Sequence, residues 1–222
     1  ALSYLEYGLS ENIGFLMLTG EIGTGKTTLL KYLLNRMPPD TDVAFLFNTS
    51  LYSRDLVQVI LDRFDVEFDR SISQAQALEL LYEDLIHRYS KGRKVLLVID
   101  EAQNLSATAL EEIRMLSNLQ TDEDMLLKIM IIGQPELRDK IREPGLEQFA
   151  QRIAASYHLA GMDKKETALY IAHRVALAGG STDLFTEPAM EKIFEVSQGI
   201  PRIINLVCEA ALVYGYADEK NQ

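Results

Sequence analysis

The sequence has 222 residues, 47% of them hydrophobic, enough to bury the core of one large domain or of a core domain with a small appendage. Lys and Arg number 22 against 33 Asp and Glu, and the formal charge of −11 opposes broad electrostatic attachment to DNA or to an anionic membrane. The single cysteine, Cys208, excludes an internal disulfide and fits a reducing cytoplasm, and no apolar run approaches the ~18 residues of a membrane span.

Residues 2 to 9 read as the end of a helix, with Leu2, Leu5 and Leu9 on one face, and no signal peptide precedes them. Because Ala1 already lies inside this pattern, the natural amino terminus is expected upstream. Phe15-Leu16-Met17-Leu18-Thr19 then predicts a short buried parallel strand, and Thr28 to Leu34 is apolar at helical spacing. Between strand and helix, Gly20-Glu21-Ile22-Gly23-Thr24-Gly25-Lys26-Thr27 fills every fixed position of the phosphate-loop pattern G-x-x-x-x-G-K-[ST], and Thr28 follows it. The residue types suit a polyphosphate. Gly20, Gly23 and Gly25 let the backbone turn tightly and present bare N–H groups to an anion, while the helix beginning near Lys26 adds its positive end. Lys26 is placed to neutralise the β and γ phosphates, and the Thr27 hydroxyl to ligate magnesium.

Pro38-Pro39 stops that helix, and Val43 to Phe47 reads as a second strand ending at Asn48. Carboxyl ends of parallel strands line the ligand crevice, so Asn48 is expected near the phosphates. Ser53 to Phe64 and Ser73 to Tyr89 predict two helices, the second opened by a Ser73 and Gln76 capping box. The small basic cluster Lys91, Arg93 and Lys94 reads as a solvated turn. Val95 to Ile99 predicts a strand buried on both faces, with Asp100 and Glu101 at its carboxyl end. Two acids after an apolar strand also occur at ordinary turns, but here they follow a complete phosphate loop. Asp100 is then suited to the magnesium shell and Glu101 to orienting or deprotonating the attacking water.

Ser106 to Leu119 predicts another helix, and Lys128 to Ile132 another buried strand ending at Gly133-Gln134-Pro135. Gln134 can there hydrogen-bond the γ phosphate or its water, although a lone glutamine also serves as an ordinary loop residue. Helical pieces over 136–142 and 146–153 bring Arg152 to the start of a last strand, Ala155 to Leu159, whose alternation predicts less burial. Three helices follow. Asp163 with Glu166 forms a capping box for the first, Thr186 caps the second with Pro188 in its first turn, and Pro201 opens the third. The predicted fold class is an α/β P-loop NTPase, a parallel five-stranded sheet flanked by helices over residues 1–161, followed by a small helical lid over 162–222.

This pattern resembles an AAA+ ATPase, and within that class the general secretion pathway protein A family, which includes ATPases encoded beside exopolysaccharide export systems. The likeness rests on Gly20 through Thr28, Val98-Ile99-Asp100-Glu101-Ala102-Gln103, Gly133-Gln134-Pro135-Glu136-Leu137, Gln151-Arg152-Ile153 and Gly199-Ile200-Pro201-Arg202. The resemblance implies ATP and Mg2+ as ligands and ATP hydrolysis as the activity. It places Gln134 at the sensor 1 position, Pro201-Arg202 at sensor 2, and Arg152 as the arginine finger, with Arg138 and Arg142 as competitors. A lid closing over ATP would bring Arg202 to the γ phosphate. Asn48 resembles the polar residue that restrains the catalytic glutamate until a partner binds.

The same resemblance implies a nucleotide-dependent homo-oligomer in the cytoplasm, the full-length protein being attached to the inner membrane, with secretion or export envelope proteins as partners. Family members also carry an upstream segment that helps enclose the adenine, and secretion members a downstream membrane segment and peptidoglycan-binding domain. Two other readings compete. A DNA-transposition AAA+ ATPase shares Asp-Glu-Ala, but the net charge makes DNA a poor ligand. A nucleotide-sensing scaffold would bind ATP with little turnover.

Overall fold

Five apolar runs become strands in the computed structural model, which describes residues 2–10, 13–47, 56–121 and 124–217. They are β1 (Phe15–Gly20), β2 (Thr41–Leu46), β3 (Lys94–Ile99), β4 (Lys128–Gly133) and β5 (Ala155–Leu159), joined in one parallel sheet of order β2-β3-β4-β1-β5. The three inner strands are almost wholly buried, whereas at the edges β2 mixes buried with half-buried positions and β5 includes exposed ones. Alternation in β5 thus has the consequence expected of it.

The helices are α1 (Leu2–Ser10), α2 (Lys26–Leu34), α3 (Leu56–Arg63), α4 (Gln74–Ser90), α5 (Ala107–Leu116), α6 (Glu136–Ile141), α7 (Glu147–Arg152), α8 (Lys164–Leu177), α9 (Glu187–Ser197) and α10 (Pro201–Ala217). Their starts follow the capping chemistry. The Gln76 N–H donates to Ser73 Oγ at 3.3 Å while Ser73 N–H donates to the Gln76 carboxamide at 2.9 Å, and Asp163 with Glu166 repeats the arrangement at the head of α8. No helix among the described residues is long and apolar enough to cross a membrane.

By internal packing the chain divides into two units, residues 1–19 with 27–158, and residues 20–26 with 159–222. In the first, Phe15, Met17, Leu97, Ile99, Ile129 and Ile131 share one cluster with Ile60, Leu81, Leu110 and Phe149. The alternate strand residues Leu16, Leu18, Leu96, Val98, Met130 and Ile132 are buried too, so the inner strands are covered on both faces, as parallel strands require. In the second unit, Ile171, Phe185, Ile193 and Ile204 form a smaller core among α8, α9 and α10. Cys208 packs against it, and burial pushes its thiol pKa up, which suits packing rather than reactivity.

Candidate functional site

The phosphate loop occupies residues 20–26 of the second unit. Gly23 and Gly25 hold left-handed backbone, at φ 85° and 99°. The Thr24 hydroxyl donates to the Glu21 carbonyl at 2.9 Å and closes the turn. Lys26 is only 9% exposed, and its ammonium donates to the carbonyls of Gly20 at 2.7 Å and Glu21 at 3.0 Å. The cation is thereby anchored within the loop where α2 begins. A Cβ added at Gly20 would stand 2.6 Å from the Leu159 carbonyl oxygen.

The same unit brings Pro201 and Arg202 to the loop. Arg202 N–H donates to the Gly23 carbonyl at 3.3 Å, and a Cβ at Gly23 would lie 2.5 Å from Arg202 Cβ. The first turn of α10 therefore abuts Gly23 directly. Glu21 and Ile22 are exposed at the tip of the loop, as are Thr27 and Thr28 in the first turn of α2. These residues fit a polyphosphate: glycines that leave the loop bare of side chains, amides turned by left-handed backbone, an anchored ammonium and a helix amino terminus. The Thr27 hydroxyl and the Asp100 carboxylate are hard oxygen donors, the kind magnesium takes in small number while keeping waters and phosphate oxygens.

The acidic residues belong to the first unit. Asp100 N–H donates to the Leu46 carbonyl at 3.0 Å, tying the end of β3 to β2, and Asp100 Oδ1 accepts the Glu101 N–H at 2.9 Å. Glu101 then takes a left-handed conformation, φ 53° and ψ 37°, and leads into a short 3-10 turn, Ala102–Asn104. Such a backbone costs roughly 1–3 kcal/mol outside glycine and recurs at functional positions. Glu101 Oε2 accepts from the side-chain amides of Gln103 at 2.6 Å and Gln134 at 3.2 Å. Because β3 and β4 are neighbours, with Ile99 beside Ile131, the residues that follow them meet at one edge of the sheet.

Glu101 and Gln134, singled out separately in the sequence, are thus brought together. Gln103, present in the quoted motif without an assigned role, joins them. Its Oε1 accepts the Gln134 N–H at 3.1 Å, and a Cβ at Gly133 would lie 2.8 Å from that oxygen. Lys140 of α6 donates to the carbonyls of Gln103 at 2.6 Å and Leu105 at 2.7 Å, fixing the turn from behind. The only signal for it in the sequence is an amide two residues beyond the acid.

Arg152 is the last residue of α7, is exposed, and donates to Asn118 Oδ1 at 2.6 Å. Arg138 is partly buried in α6, and Arg142 caps that helix on the surface. Asn48 lies outside the described residues.

An AAA domain family model matches residues 10–141. General secretion pathway protein A of Aeromonas hydrophila is 41% identical over 217 residues, which cover 98% of this chain and 40% of that relative. The chain therefore spans less than half of the relative's length. Among solved structures, Cdc6p of Pyrobaculum aerophilum is similar with a TM-score of 0.70 at 20% identity, over 100% of this chain and 62% of that one. The ORC2 protein of Aeropyrum pernix in its ADP form is similar with a TM-score of 0.63 at 19% identity, over 98% and 62%. At such identities these structures bear on the fold alone, and they share it. The family match takes in more than half of the sequence, including the phosphate loop and the strand that ends in Asp100 and Glu101, and on that ground the chain belongs to the AAA+ ATPases.

Proposed function

We propose that the protein hydrolyses ATP with magnesium, and that this turnover drives or regulates assembly of an envelope secretion or polysaccharide export system. The observation that carries the enzymatic reading is the Glu101 carboxylate at the carboxyl end of β3, held by the amides of Gln103 and Gln134. A carboxylate so held is a general base with a fixed direction, suited to take a proton from water as it attacks the γ phosphorus. Gln134 orients the same water. Lys26 exchanges its carbonyl partners for β and γ phosphate oxygens, and Arg202, beside the loop, adds a second cation. Magnesium, when bound, neutralises charge on the phosphates; Thr27 and Asp100 would hold it. Within this reading residues 1–161 are the nucleotide-binding core and 162–222 the lid. Asn48 restrains Glu101.

Arg152 supplies charge to the nucleotide of a neighbouring copy in a homo-oligomer, a role worth ~10³-fold or more in other nucleotidases. The AAA domain match supports the choice of a nucleotide, and the identity with a secretion pathway protein supports the cellular role. That role sets the protein in the cytoplasm, with attachment to the inner membrane.

Replacing Glu101 with Gln is expected to lower turnover about 100-fold or more while nucleotide titration stays unchanged. Replacing Lys26 with Ala is expected to weaken binding itself. A Glu101→Gln protein turning over at the wild-type rate would remove Glu101 from the chemistry.

A further inference from the structure

We propose that Gln103 is a positioning residue that aims Glu101 and holds Gln134 in register with it; this rests on the reading of Glu101 as the group that activates water. The Gln103 carboxamide has partners at both ends. Its oxygen accepts the main-chain N–H of Gln134 at 3.1 Å, and its nitrogen donates to Glu101 Oε2 at 2.6 Å. Only one orientation of the amide satisfies both contacts. Flipped, it would set its oxygen against a carboxylate and its NH2 group against an N–H, so the network itself fixes which end faces which.

Such a brace has a physical purpose. Glu101 leaves the end of β3 on a left-handed backbone and is exposed, and an unbraced glutamate side chain retains its rotamer freedom. Gln103 is partly buried, and Lys140 pins its carbonyl from α6 at 2.6 Å. Room for it comes from Gly133, where a Cβ would stand 2.8 Å from its oxygen. The brace therefore reaches Glu101 from a point fixed to two elements, and it carries β4's first loop residue on its other end.

Two variants of the full chain test this. Gln103→Leu removes both contacts. Gln103→Glu is nearly isosteric and keeps an acceptor for the Gln134 N–H, but sets a carboxylate against Glu101. Both are expected to lose roughly 10- to 100-fold in kcat, with nucleotide affinity within about twofold of wild type and thermal unfolding close to it. A residue that only packed would tolerate Gln103→Glu. A second readout needs no turnover: in amide NMR spectra of the nucleotide-free protein, the Gln134 backbone resonance should move in Gln103→Leu and move much less in Gln103→Glu. Wild-type kcat in both variants, or an unmoved Gln134 resonance in Gln103→Leu, overturns the proposal. A fully active Glu101→Gln protein would instead remove the underlying reading of Glu101, whereas an inactive one beside a fully active Gln103→Leu removes only the brace.

Discussion

Gly23 and Gly25 share left-handed backbone, yet a methyl group added to each meets different surroundings. At Gly25 nothing lies within 4 Å of the new Cβ, whereas at Gly23 it falls 2.5 Å from Arg202 Cβ. Gly25→Ala therefore carries backbone strain alone, about 1–2 kcal/mol. Gly23→Ala adds a conflict with the first turn of α10, so its cost should exceed that, by roughly 1 kcal/mol or more. Thermal unfolding of the two variants checks the ranking; equal losses would mean that Arg202 does not abut the loop. Residues of this kind separate what the sequence discloses from what it hides. Under the proposed function, Lys26 and Glu101 are legible because phosphate and water chemistry admit few side chains at a fixed distance from a strand end. Gln103 is not, since an amide acquires its meaning from Gln134 and Gly133, which only the adjacency of β3 and β4 brings near.

Between elements, a network of charges joins β2 to α4 and to the turn before β3. Asp42 of β2 binds Arg93, just before β3, and Arg88 of α4 at 2.8 Å; Arg88 also reaches Asp84 at 2.6 Å and the Phe64 carbonyl at 2.7 Å. Hydrogen bonding from Arg93, then from Arg88, outweighs the effect of burial and holds the Asp42 carboxyl at about 2. A carboxyl pKa lowered by folding stabilises the protein above its unfolded value near 4, and that contribution is lost as pH falls from about 4 towards about 2. Asp42→Asn should accordingly flatten the fall in melting temperature over that window, leaving the dependence at higher pH as it was. An unaltered acid limb would show that the carboxyl is not held. The basic turn at Lys91, Arg93 and Lys94, which the sequence presents as solvated, is partly tied down by this bond. Local signals were read well at this scale: the caps of α4, α8 and α9 are where their residues place them. Ion partners contributed by β2, α4 and β3 were not, because they are fixed only after the strands are ordered.

For the molecule as a whole, strand types and their burial were legible from apolar runs, but their order β2-β3-β4-β1-β5 was not, since no local pattern says which run lies beside which. The assembly prediction belongs here too. If Arg152 completes a neighbour's site, ATP hydrolysis per chain should climb as protein concentration rises, and Arg152→Ala should abolish the climb. A flat, measurable rate would mean that each chain works alone. The bond between Arg202 and Gly23 has a consequence in time as well. The phosphate loop leaves the ribosome well before the helix that abuts it, since Arg202 lies far along the sequence from Gly23. A growing chain can close its sheet and still carry an unfinished phosphate loop, so capacity to bind should arrive with the first turn of α10 rather than with the motif that encodes it.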